Sequence, residues 1–206
     1  MLEKVLNKGK KYFIFDSLSN VSDDTCLDDE CKLIDFDKTK KIVIEEAHQS
    51  SRSSCDGLHL NDNINFIEFK SFKKVKEQQH TEDLERKERR FVSKVETSLL
   101  DKIESSIWIF EFVVHHKDMA LTKNDKITYS KFDKNYYLVV DIDLTKPNKD
   151  SLVAQLNGLT IPTSLYNNLI IEVKNILDGI EQKIKIKKPL LIDCKQLKEI
   201  LREKNE

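Results

Sequence analysis

The sequence predicts a mixed α/β domain, a central mixed β-sheet with flanking helices. Three observations predict it. Short runs rich in β-branched and aromatic residues recur at 40–48, 55–60, 64–72 and 136–144. Apolar residues at Phe91, Val95, Leu99, Ile103, Ile107, Phe110 and Val114 follow steps of three and four, the spacing of one helix face. A second stretch of that kind, "TSLYNNLIIEVKNILDGI", follows directly on Pro162.

Taken in order, "YFIFD" reads as a short strand, and the acidic "SLSNVSDDTCLDDEC" as a turn-rich excursion. "KKIVIEEAH" (40–48) reads as a strand through Ile42, Val43 and Ile44. After a polar loop, "CDGLHL" (55–60) and "INFIEFKSF" (64–72) form a hairpin around the turn residues "NDN". Residues 73–90 are almost wholly polar, a solvated helix face or loop, and lead into the long amphipathic helix. "KITYSKF" and "YYLVVDIDL" read as two more strands joined by "DKN". "KPLLIDC" is a last strand and "KQLKEILREKNE" a last helix.

A chain of 206 residues supports one decorated domain. Its expected parts are an N-terminal extension (1–39), a core (40–145) and a C-terminal decoration of the same domain (146–206). Thirty-five Lys and Arg against 36 Asp and Glu leave no global pull toward nucleic acid, so such binding needs a local basic patch or a partner. No run approaches the ~18 apolar residues of a membrane span. The opening "MLEKVLNKGKKYFIFD" has no long apolar segment, so a soluble, cytoplasmic protein is expected. Cys26, Cys31, Cys55 and Cys194 are irregularly spaced and lack a second C-x2-C pair, which favours reduced thiols over a zinc site.

Candidate chemistry centres on "NFIEFKSF" (65–72). Strand alternation sets Glu68 and Lys70 on one face and Ile67 and Phe69 on the other. Two opposite charges there are either a cross-braced structural pair or half of a metal site. A Glu-x-Lys triplet means nothing alone in so charged a chain: 85–87 and 172–174 match it as well. Asp193-Cys194-Lys195 is the serious rival, although Asp193 also reads as a helix N-cap. Glu68 differs in its surroundings. The hairpin brings Asp56 beside it, and Glu45 and Glu46 close the run before. Carboxylates gathered in that number repel unless a cation or protons neutralise them, and hard oxygen donors suit Mg2+ or Mn2+.

Asp56 followed by Glu68-Phe69-Lys70 at the end of an apolar strand resembles the motif of the PD-(D/E)xK nuclease superfamily, with its restriction-endonuclease-like fold. The resemblance covers residues 40–143, whose expected order is three strands, a helix and a further strand. It implies a nuclease that hydrolyses phosphodiester bonds with Mg2+ or Mn2+, in settings such as restriction, phage defence or mobile-element biology. It implies metal ligation by Asp56, Glu68, the Phe69 carbonyl and Glu46, and a water-orienting Lys70. The departure is Cys55 at the position of the motif's proline.

The implied partner is nucleic acid, DNA ahead of RNA. Lys73, Lys74 and Lys76, with Arg86 and Arg90, are the candidate phosphate contacts, and a homodimer or protein partner would complete that surface. The competing reading is a non-catalytic interaction module acting within a protein complex. His59, three residues beyond Asp56, is expected to face away and pack. His115 and His116 close the long helix, and Asp141 and Asp143 are expected at a solvated strand end.

Overall fold

The computed structural model describes residues 1–50, 52–71, 84–142, 144, 163–181, 186–187 and 189–202. Side chains at 84–92, 94–97, 163–169 and 181 fall outside that description. The first part of the chain forms α1 (Leu2–Lys8), β1 (Phe15–Ser17), α2 (Leu18–Val21), β2 (Lys32–Asp35) and α3 (Phe36–Ala47). Then come β3 (Gly57–Leu60), β4 (Ile64–Lys70) and the long α4 (Leu84–His115). A 3₁₀ turn (Lys117–Met119), α5 (Lys123–Tyr129) and β5 (Lys134–Val140) follow, and the chain ends on α6 (Thr163–Glu181), β6 (Leu190–Asp193) and α7 (Cys194–Arg202).

The fold is mixed α/β, as expected. Six strands form one sheet in the order β1 to β6. The first four are joined antiparallel, whereas β4, β5 and β6 run parallel. The change of direction follows α4, because a parallel neighbour needs a long crossover. The segment 1–39 contributes β1 and β2 to this sheet, and the C-terminal segment contributes β6.

Strand alternation sorts the core into two layers. Ile64, Phe66, Tyr136 and Leu138 pack beneath Leu99, Ile103 and Phe110 of α4 and Val173 and Leu177 of α6. Ile67, Phe69 and Val139 on the other face pack with Leu18, Leu33 and Leu197. Phe110 anchors the first layer, its ring 5.7–6.2 Å from those of Phe13, Phe66 and Tyr129. Leu99, Ile103, Phe110 and Val114 are buried, as the helical spacing requires.

Two expected strands are helices. Residues 40–48 lie within α3 apart from His48, which caps its end. Ile42, Val43 and Ile44 favour a strand locally, but Asp35 caps the helix by accepting from the Lys38 amide. Phe36, Thr39 and Val43 then share one buried face, and tertiary packing overrides propensity. "KITYSKF" begins inside α5, where Thr122 and Asp125 form a reciprocal capping box and Tyr129 supplies the buried anchor. The third strand of the meander is instead β2, the "KLID" that directly follows the acidic stretch.

Reduced thiols are also corrected: Cys26 and Cys194 form a disulfide, while Cys31 and Cys55 are free. The partners lie 168 residues apart and meet only because β6 joins the sheet and presents the start of α7 to the loop before β2. Among the described residues no helix is long and apolar enough to cross a membrane.

Phe110→Ala should cost about 3–5 kcal/mol in denaturant unfolding, since it empties the centre of the aromatic layer. A cost under ~1 kcal/mol would place the core elsewhere. Thiol titration of denatured, unreduced protein should count two cysteines, Cys31 and Cys55. A count of four would refute the Cys26–Cys194 bond.

Candidate active site

The hairpin register assembles the site. Gly57 pairs with Ile67 and Leu58 with Phe66, and Asp56 lies just beyond the last of these pairs, next to the Ile67–Phe69 stretch of β4. Asp56 is held at both backbone ends: its N–H donates to the Ile67 carbonyl at 3.0 Å, and its carbonyl accepts from the Phe36 amide at 3.0 Å. Gly57 permits the close approach of β2 here, because a Cβ on it would lie 3.3 Å from both Leu33 Cδ1 and Val21 Cγ1. The Cys55 amide donates to Ser106 Oγ at 2.8 Å and ties the entry of β3 to α4.

Glu68 and Lys70 share one strand face, as expected, and Glu68 has no exposed surface. Its Oε1 accepts from Lys70 Nζ at 2.6 Å and from Lys102 Nζ of α4 at 2.7 Å. Its Oε2 is buried without a partner. The Asp56 carboxylate accepts from the Phe69 amide at 2.7 Å. Burial first, then the Glu68 charge, pushes the Asp56 carboxyl up to about 7, against the pull of Lys102, the Phe69 amide and Lys70. Burial pulls the Lys102 ammonium down, but Glu68 and Asp56 outweigh it and its pKa is raised. Beside Glu68, burial holds the unpartnered Tyr136 hydroxyl well above the ordinary tyrosine value.

Asp56 and Lys70 open onto a cleft of about 510 Å³, whose walls include Asp35, Lys38, Lys41 and Ser71. Lys38 is paired with Asp16 at 2.7 Å and Asp35 at 2.9 Å. Two carboxylates and a nearby backbone carbonyl are a donor set that Mg2+ accepts, since that ion keeps several waters and takes further oxygens from substrate phosphate. The unpartnered Glu68 Oε2 is a donor of that kind. Among the described residues, no group of three or more His, Cys, Asp or Glu side chains converges to hold a metal.

The structure brings Asp56, Glu68, Phe69 and Lys70 together and leaves Glu46 apart. Glu46 sits at the far end of α3, about 15 Å along the axis from Phe36. There it accepts from Lys11 and from the Tyr12 hydroxyl, and Tyr12 also bonds His116 Nδ1 at 2.8 Å. The Phe69 side chain lies on the opposite face of the sheet, so only its backbone borders the site. Lys73, Lys74, Lys76 and Asp143 lie outside the described residues, and the Arg86 and Arg90 side chains do as well.

Asp193 caps α7 through the Gln196 amide at 2.9 Å, which accounts for it as an N-cap. His59 is half-buried and borders a separate cavity with Cys31 and Arg202. Asp141 accepts from Ser71 at the end of β5. Lys102, Ser106 and Tyr136 were not singled out from sequence. The signal for the first two was their helical spacing: Lys102 is three residues past Leu99, and Ser106 four past Lys102, beside the apolar stripe.

In metal-free protein, Asp56 should make stability fall as pH rises. Its carboxyl is raised from 3.8 to about 7 on folding, so the folded state binds the extra proton between those values. This contribution is full below the lower value, declines through the window and is gone above the upper one. Melts in chelator from pH 4 to 8 should show the decline, on the order of a few kcal/mol, and Asp56→Asn should flatten it. An unchanged profile in Asp56→Asn would contradict this electrostatic picture.

No protein-family model, curated protein or solved structure matches the chain. What this site does is therefore argued from its own residues and their placement.

Proposed function

We propose that this chain is a metal-dependent nuclease of the PD-(D/E)xK type, acting on phosphodiester bonds in nucleic acid, DNA ahead of RNA. One observation carries the reading: a fully buried Glu68 keeps one oxygen without a partner, close enough to Asp56 for its charge to act on that carboxyl, and Asp56 and Lys70 themselves line an open cleft. An unpartnered buried carboxylate oxygen costs stability, and such costs concentrate where function requires them. Further support comes from element order. Strands β2, β3 and β4, helix α4 and parallel β5 follow as that family's core would, with α3 between the first two strands and β2 standing where residues 40–48 were expected.

Asp56, Glu68 and the Phe69 carbonyl would hold Mg2+ or Mn2+, and Glu46 drops out of that set. When bound, the metal would polarise the phosphate and acidify a water. Lys70, on the cleft wall, is placed to orient that water and to neutralise a phosphate oxygen. Lys38 and Lys41 line the same cleft and suit phosphate contacts. A cytoplasmic setting and a second subunit or protein partner belong to the same proposal.

The non-catalytic module remains a second reading because Glu68 Oε1 already has two lysine partners without any metal. Activity separates the two. Purified protein with Mn2+ should cut DNA, and chelator should stop it. Lys70→Met should lower turnover on the order of 10²–10³-fold, the usual loss when one preorganised electrostatic donor is removed. Asp56→Asn and Glu68→Gln should abolish cutting. Variants that melt like the parent and cut as fast would sink the nuclease reading.

A further inference from the structure

We infer that Lys102 is a positioning residue that makes cation loading depend on the anionic substrate, so that metal and phosphodiester enter this site as a pair. The inference rests on the metal-dependent reading of the site. Its geometric basis is the sharing of one carboxylate oxygen: Lys70 Nζ lies 2.6 Å and Lys102 Nζ 2.7 Å from Glu68 Oε1. The two lysines differ in setting. Lys70 is 32% exposed at the side chain and borders the cleft, whereas Lys102 is 19% exposed and rises from the middle of α4.

Formal charge decides the consequence. Glu68 carries one negative charge against two ammoniums, and Asp56 adds at most one more. The four groups together are never net negative. A divalent cation approaching Glu68 Oε2 therefore meets two positive charges at close range, in surroundings that screen poorly. A phosphodiester removes that conflict. It supplies the missing negative charge and oxygen donors to the cation, and it accepts hydrogen bonds from lysines that have donors to spare. Without Lys102, Asp56, Glu68 and Lys70 can be net negative, and a cation can bind by itself. The ammonium also fixes the Glu68 carboxylate from the helix side, so the ligand is in place before the metal arrives.

The test uses the full chain as wild type, Lys102→Gln and Lys102→Arg. Glutamine keeps a donor for Glu68 and removes the charge, while arginine keeps the charge. Calorimetry with Mn2+ alone should give weak binding for wild type and Lys102→Arg, and binding tighter by about ten-fold for Lys102→Gln, a typical coupling between sites. Polarisation with a cleavage-resistant phosphorothioate DNA oligonucleotide supplies the reciprocal reading. Mn2+ should raise oligonucleotide affinity by about ten-fold in wild type and by much less in Lys102→Gln. Melting covers the case in which Lys102→Gln is unstable, since Mn2+ should then raise its Tm more than that of wild type. Equal Mn2+ affinity and equal Tm shifts in wild type and Lys102→Gln would overturn the role of Lys102 alone. Mn2+ binding that is the same in wild type and Glu68→Gln, with and without oligonucleotide, would overturn the metal site and this inference together.

Discussion

The buried Glu68 carboxylate is the constraint on which the site depends. A charge with no exposed surface must be paired, or folding pays for its desolvation. Lys70 comes from the same strand and Lys102 from α4, so their shared oxygen links the sheet to the helix that covers it. The Cys55 amide on Ser106 makes a second polar link between β3 and the same helix. Around these links the layer is apolar, from Leu99 and Ile103 to Phe66 and Leu138. Polar contacts set in such surroundings specify one register of helix against sheet, which apolar packing alone fixes less sharply.

Asp56 takes its character from the same constraint. Its backbone bond to Ile67 and its side-chain bond to the Phe69 amide hold it beside β4 at Glu68, and that charge adds to burial in raising its carboxyl. The two carboxyl groups are therefore unequal: one paired with lysines, the other poised to hold or release a proton near neutral pH. The proposed metal chemistry uses that inequality, since a cation would compensate charge that the lysines and a proton otherwise balance. The cleft beside Asp56 and Lys70 gives a substrate access without opening the core.

Much of the site was legible because it is local. Asp56, Glu68 and Lys70 fall on one hairpin, and period-two alternation within β4 sorts Glu68 and Lys70 from Ile67 and Phe69 without knowledge of the rest. The turn at 61–63 sets which residues face each other. Glu46 falls outside the site because its segment, whose β-branched residues favour a strand beside the hairpin, is helical. As the last turn of α3 it lies with Tyr12 and His116 instead.

By itself the sequence determined the mixed α/β class, the hairpin, the long amphipathic helix and the pairing of Glu68 with Lys70 on one face. Each follows from periodicity or turn chemistry within a few neighbouring residues. The tertiary structure alone decided that Ile42 to Ile44 are helical, that Cys26 meets Cys194, and that Lys102 completes the Glu68 pair. Those outcomes turn on contacts between distant segments. Lys102 lies 34 residues from Glu68, and Cys194 lies 168 from Cys26. Helical spacing sets Lys102 beside the apolar stripe but does not name its partner, because these contacts exist only once the helices have docked on the sheet.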